Sequence, residues 1–131
     1  MEPRIDLITV LADDVSKMGR FYRDALGFRI DSESDHYYGL ENKGVRFAIC
    51  SREIMYQITE HKDYKEQKSG QGFELAFPVD SADELDRVYA EIISKGATPI
   101  KAPSDMPWSH RTAFFADPEG NIHELFAPKA R

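Results

Sequence analysis

Phe114-Phe115-Ala116-Asp117-Pro118-Glu119-Gly120-Asn121-Ile122-His123-Glu124-Leu125-Phe126 reads as two apolar strands joined by a polar turn. Asp117 can hydrogen-bond its own backbone, Pro118 presets the next dihedral, and Gly120 with Asn121 tolerates left-handed conformations. The stretch is a β-hairpin. Its second strand carries Glu124 where a half-buried strand is ordinarily apolar, so the hairpin delivers a carboxylate to one face of a sheet.

Upstream of this hairpin the second half of the chain reads as a strand over 73–79, a helix over 82–94 stopped by Gly96, and a strand over 98–101, with the hairpin strands over 111–116 and 122–126. Ser81 with Glu84 forms a capping box, and Leu85, Val88, Tyr89, Ile92 and Ile93 fall at helical spacing. The first half shows the same order: a strand over 5–11, a helix over 15–26 stopped by Gly27, and strands over 28–32, 36–40 and 45–50. Met18, Phe21, Tyr22 and Leu26 make the apolar stripe of that helix. Each half is therefore β-α-β-β-β. A shift of 67 places Leu7 on Glu74, Val10 on Phe77 and Tyr22 on Tyr89, and a shift of 76 places Gly44 on Gly120 and Ala48 on Glu124. The expected organisation is one domain over 1–131, with a first module over 1–50, a connection over 51–71 and a second module over 72–131. Within the connection, 53–58 can form a short strand or helical turn, and 60–70 is charged and loop-like. A second irregular stretch, 102–110, holds two prolines and Trp108.

Composition bounds the function. The chain has 131 residues, 41% hydrophobic and 31% charged, the balance of one globular domain with an ordinary core. The formal net charge is −6 and the cations are interleaved with acids or apolar residues, which argues against a nucleic-acid partner. A single cysteine, Cys50, rules out an intrachain disulfide and a thiolate metal cluster. No stretch approaches the roughly 20 apolar residues of a membrane span, and no basic region followed by an apolar run opens the chain, so a cytoplasmic protein is expected.

Three stretches resemble the vicinal oxygen chelate superfamily, which groups glyoxalases, bleomycin-resistance proteins, some fosfomycin-resistance enzymes and extradiol dioxygenases. They are Asp14 through Phe21-Tyr22 to Leu26-Gly27-Phe28, then Glu74-Leu75-Ala76-Phe77-Pro78-Val79-Asp80, then Trp108 through Asp117-Pro118-Glu119-Gly120-Asn121 to Glu124. The resemblance implies an α+β fold of two tandem βαβββ modules whose mixed sheet curves into a cup, and a homodimer. It also implies a site inside the cup. In metal-dependent members the ligands are His, Gln or Glu at one position on the opening and one on the closing strand of each module. Carried onto this chain those positions are Leu7, Ala48, Glu74 and Glu124. Leu and Ala have no lone pairs to offer, so only the second module keeps donors.

Strand alternation puts Glu74, Ala76 and Pro78 on one face with Leu75, Phe77 and Val79 on the other, and it puts Ile122, Glu124 and Phe126 together. Two carboxylates in one space can hold a hard cation, share a proton, bind a cationic ligand, reach solvent at the rim of the cup, or pair with Arg46 or Arg111. His110 is the histidine best placed to join them as a ligand or acid-base group. His123 has the opposite parity to Glu124 and faces away, His36 and His61 lie among charged turn residues in solvent, and Cys50 packs. Leu7, Thr9, Ala48, Tyr56, Trp108, His110 and Arg111 are the candidate ligand contacts, with Tyr37, Tyr38, Phe47, Phe115 and Phe126 as further aromatic walls. Three functions fit this set. The first is a binder of a small organic ligand without the standard metal site. The second is a lactoylglutathione-lyase-like or related metalloenzyme using zinc, nickel, manganese or iron on Glu74, Glu124 and His110, with the two glutamates as catalytic groups. The third is a non-catalytic accessory protein.

Overall fold

The computed structural model describes residues 1–130, which divide into two compact units, Met1–Ser69 and the chain from Gly70 onward. The first unit runs β1 (Leu7–Ala12), α1 (Val15–Asp24), β2 (Ile30–Glu33), β3 (Tyr37–Leu40), β4 (Arg46–Ser51), α2 (Arg52–Thr59) and a 3-10 turn at Lys62–Tyr64. The second runs β5 (Ala76–Pro78), α3 (Ala82–Ser94), β6 (Thr98–Asp105), β7 (His110–Ala116) and β8 (Ile122–Pro128).

Each unit builds one four-stranded mixed sheet, ordered β1-β4-β3-β2 in the first and β5-β8-β7-β6 in the second. In each, the opening strand pairs in parallel with the closing strand, and the remaining pairs are antiparallel. The internal repeat holds at the level of register. Thr9 faces Ala48 in the first sheet, and the two shifts carry that pair onto Ala76 facing Glu124 in the second.

Local chemistry sets the helices. Asp14 accepts from the Lys17 N–H at 3.0 Å to start α1. Ser81 accepts from the Glu84 N–H at 3.2 Å to start α3, whose bounds match the sequence pattern, while the Glu84 carboxylate turns to Arg87 at 3.4 Å. Beyond α3, Gly96 takes φ 112° and the Ala97 N–H bonds back to the Ile92 carbonyl at 3.0 Å, closing the last turn. Leu85, Tyr89 and Ile92 form the buried stripe of α3. Fully burying side chains of the Leu or Ile kind contributes about 1.5–3 kcal/mol each.

Three elements extend, settle or shorten the sequence reading. The start of the 51–71 connection is a two-turn helix, because Ser51 caps it by accepting from the Ile54 N–H at 3.0 Å, and Glu60 ends it at φ 59°. The strand predicted over 98–101 continues to Asp105, leaving only 106–109 as loop; Pro99 and Pro103 are tolerated because β6 is the sheet edge and is bulged. The strand predicted over 73–79 shrinks to Ala76–Pro78. There the Leu75 N–H donates to the His123 ring at 3.2 Å, outside the backbone ladder, although the Leu75 carbonyl still accepts from the Glu124 N–H at 2.9 Å.

A carboxylate face on the second sheet

The β7–β8 hairpin is organised by Asp117, which is 1% exposed. Its Oδ1 accepts from the backbone N–H groups of Glu119 and Asn121, both at 3.0 Å, and its Oδ2 accepts from Asn121 Nδ2 at 2.8 Å. Gly120 closes the turn at φ 85°. The Asp-Pro-Glu-Gly-Asn run is thus a structural device that fixes where β8 begins, and with it the face that Glu124 takes.

Along β8, His123, Leu125 and Ala127 are buried, while Ile122, Glu124 and Phe126 are half-buried. The first set lies against α3. His123 fulfils the expectation that it faces away from Glu124, and its environment explains why a histidine is there. Its Nδ1 accepts from the Leu75 N–H, which places the ring proton on Nε2, 3.6 Å from Asp117 Oδ2. Phe77 and Phe115 meet the ring edge-on at centroid separations of 5.8 and 5.9 Å.

The opposite, open face gathers residues from three strands. Ala76 and Phe114 flank Glu124, and Thr112 flanks Phe126. Glu74 lies close enough to Glu124 to act on its carboxyl group. Partial burial and the neighbouring Glu74 carboxylate both push the Glu124 acid above the usual carboxylate range, and His110 opposes them. The His110 ring stacks on Phe126 at 5.1 Å between centroids. This face therefore carries two neighbouring carboxyl groups, an imidazole and two half-buried phenyl rings.

Arg111 belongs to the other face. It donates from Nε and a terminal nitrogen to the two Asp86 carboxylate oxygens at 2.8 and 3.1 Å, and from the other terminal nitrogen to Asp105 at 3.2 Å. Arg46 is engaged by Asp6 at 2.7 Å. Neither arginine takes the role of partner to the glutamates that the sequence allowed. Trp108 lies in the 106–109 loop and is 57% exposed.

In the first unit, Leu7 and Thr9 lie on β1 and Ala48 is fully buried on β4. Tyr56 sits on α2 with the Lys65 ammonium 4.4 Å from its ring centroid. Cys50 is buried, and burial pushes its thiol pKa up, the opposite of what a reactive thiolate needs. His36 is not simply solvated as the sequence suggested: its Nδ1 lies 2.9 Å from the Ser51 hydroxyl. His61 accepts from the Asp63 N–H at 3.2 Å.

The donor set does not fit a standard metal centre. Leu7 and Ala48 contribute no lone pairs, and among the described residues no three His, Cys, Asp or Glu side chains are arranged to hold an ion, Glu74, Glu124 and His110 included.

Two residues escaped the sequence reading. Thr112 is 1% exposed, Ser104 stands opposite it on β6, and neither hydroxyl has a hydrogen-bond partner among the described residues. Their signal in the sequence was parity, since Thr112 is two residues from His110 and two from Phe114.

Comparison with known proteins agrees with this architecture. The chain is 33% identical over 123 residues to the uncharacterized protein YraH of Bacillus subtilis (strain 168), covering 91% of this chain and 94% of that one. A crystal structure of a glyoxalase/bleomycin resistance protein/dioxygenase family enzyme from Burkholderia phytofirmans PsJN superposes with a TM-score of 0.85 at 26% identity, covering 94% of this chain and 97% of that one. The lactoylglutathione lyase of Agrobacterium tumefaciens shares the fold, with a TM-score of 0.73 at 18% identity over 97% of this chain and 96% of that one. Among the described residues no helix is long and apolar enough to cross a membrane. With residues 4–125 matching the family as a whole, the chain belongs to the Glyoxalase/Bleomycin resistance protein/Dioxygenase superfamily.

Proposed function

We propose that this protein binds a small organic cation on the open face of its second sheet, in a site that does not use the four-ligand metal centre. One observation carries the reading. Glu74 and Glu124 are neighbours on one face, while Arg111, the one arginine on the strands of this sheet among the described residues, points the other way and is engaged by Asp86 and Asp105; Lys101, opposite Phe114, is exposed at the sheet edge. Two neighbouring carboxyl groups, one of them pushed above the usual carboxylate range by burial and by the other, gain a full charge partner when an ammonium arrives. Phe114 and Phe126 beside it give an apolar body of the ligand something to lie against.

The test uses three molecules of one shape: phenethylamine, 2-phenylethanol and 3-phenylpropionate, titrated while backbone amide shifts are followed by NMR. Phenethylamine should shift the amides of β8 around Glu124 saturably, and the neutral and anionic molecules should bind at least tenfold more weakly. Glu124→Gln should remove that preference. Equal binding of all three, or phenethylamine binding that survives both Glu124→Gln and Glu74→Gln, would overturn the proposal. The family's habit of pairing chains extends it to a homodimer, which sedimentation equilibrium tests directly.

A further inference from the structure

Thr112 and Ser104 face each other across the β6–β7 ladder. Thr112 pairs on its other side with Phe126, whose neighbour but one along β8 is Glu124, itself opposite Phe114. Directly opposed residues of an antiparallel pair share a face, so both hydroxyls lie on the face that carries Glu124, Phe126, Phe114 and His110. Arg111 and Asp105, one residue along each strand, bond to each other on the far face and confirm the parity.

Both hydroxyl oxygens are shielded from solvent and have no hydrogen-bond partner among the described residues. A buried polar group left unpaired costs about 1–3 kcal/mol, which is why such groups mark a water, an ion or a ligand position. Two of them side by side, within reach of a carboxyl pair and two aromatic rings, form more than an isolated packing flaw. Each hydroxyl can donate once and accept. One group that satisfies both at once is a further hydroxyl, which accepts from one and donates to the other. Same-face positions along a strand are separated by about 7 Å, so this group lies roughly that far from the cation held at Glu124.

We infer that Thr112 and Ser104 are a second recognition point of the Glu74–Glu124 site and select a ligand that carries a hydroxyl at the opposite end of its apolar body from its ammonium. This assignment rests on the cation reading of the site. It turns a generic cation binder into one specific for a hydroxylated amine, with the aromatic or aliphatic body spanning Phe114 and Phe126.

Tyramine and phenethylamine separate the two claims, because they differ only in the phenolic hydroxyl and tyramine spans about the required length. Calorimetric titration should show tyramine binding about 3- to 10-fold tighter than phenethylamine to the unmodified protein, the range of one or two neutral hydrogen bonds. Thr112→Val and Ser104→Ala should each reduce that ratio toward one while leaving phenethylamine affinity unchanged. A ratio of one in the unmodified protein, or a ratio that persists in both variants, overturns the hydroxyl assignment and leaves the cation reading standing. Failure of both amines to bind overturns the two together. Thermal melting supplies a readout that needs no ligand. Replacing an unpaired buried hydroxyl by a methyl should leave the Thr112→Val melting temperature equal or higher. A fall of several degrees would mean that the hydroxyl serves the fold, through a buried water, and would overturn the assignment.

Discussion

The two sheets of this chain share strand order and register and differ in what they place at equivalent positions. On the helix-facing side, Tyr38, Leu40, Phe47 and Ile49 of the first sheet correspond to Ala113, Phe115, His123 and Leu125 of the second. On the open side, Leu7, Thr9, Ala48, Cys50 and Gly39 correspond to Glu74, Ala76, Glu124, Phe126 and Phe114. At these positions the first sheet carries apolar and small residues, and the second carries Glu74, Glu124 and His123; the charged residues of the first sheet, Arg46 on β4 and Asp31 and Glu33 on β2, lie at other positions. Duplication supplies two scaffolds for one fold. The chain has concentrated its polar chemistry in one of them, so the second must hold with hydrogen bonds what the first holds with packing.

The turns show the contrast most strongly. In the second hairpin, buried Asp117 satisfies two backbone N–H groups and the Asn121 amide. In the first, an exposed Asn42 donates one bond to the Val45 carbonyl at 2.8 Å. Asp117→Ala strands several buried donors and should cost about 3 kcal/mol or more, whereas Asn42→Ala should cost about 0.5 kcal/mol. Urea denaturation of both variants measures the difference, and comparable losses would break the comparison. The helices differ in the same spirit. Gly19 of α1 lets the Tyr38 ring in, since a Cβ there would overlap the Tyr38 ring, while the equivalent position in α3 is Asp86, which grips Arg111. Gly19→Ala should therefore destabilise by about 1–3 kcal/mol through overpacking, against a helix-propensity gain of about 1 kcal/mol. A more stable Gly19→Ala protein in the same denaturation assay would show that Tyr38 moves aside freely.

Much of this contrast was legible in the sequence. Hydrophobic spacing and helix stops located both helices, α3 to the residue, and the two shifts that align the halves also carry the Thr9–Ala48 pair of the first sheet onto the Ala76–Glu124 pair of the second. The opposite parity of His123 and Glu124 followed from strand alternation alone. Part of what escaped depended on partners distant in sequence: nothing local announces that the Leu75 N–H will leave the ladder for the His123 ring. The Ser51 cap is local, three residues from Ile54, but 53–58 allowed a strand as well as a helical turn. Prolines at 99 and 103 read as loop until β6 is known to be an edge. His110 and Arg111 were both read as candidate ligand contacts, yet consecutive strand residues point to opposite faces. Applying that rule to β7 would have exchanged Arg111 for Thr112.

His123 tests whether its polarity matters or only its shape. Phe47 fills the equivalent position in the first sheet, where Tyr22 and Phe28 meet its ring at 5.7 and 5.3 Å. His123→Phe keeps an aromatic ring between Phe77 and Phe115 but leaves the Leu75 N–H without its acceptor. A loss of about 1–2 kcal/mol is expected, the cost of one buried donor unmet. Hydrogen exchange at the Leu75 amide should rise in parallel. An unchanged protein would make the imidazole an interchangeable core ring and reduce the difference between the two sheets to the open face alone.

The smallest effect is the one closest to function. Because Glu124 holds its proton more tightly in the folded chain than in the unfolded one, its contribution to stability is complete below the ordinary carboxylate pKa of about 4.3. That contribution declines as pH rises through the interval up to the folded value and stays reduced beyond it. Glu124→Gln removes the ionisation and can still donate a hydrogen bond to Glu74. Its melting temperature relative to the unmodified protein should therefore climb as pH is raised from below 4 to 7, by a small amount because the group is only partly buried. Ala48→Gln places the same amide at the equivalent position of the first sheet, where burial is complete and no second carboxylate faces it, and its melting difference should be negative and independent of pH. A flat or falling difference for Glu124→Gln would mean that the carboxylate is stabilised as an anion. The two open faces would then differ in charge without either storing the unfavourable proximity of carboxylates that an arriving cation relieves.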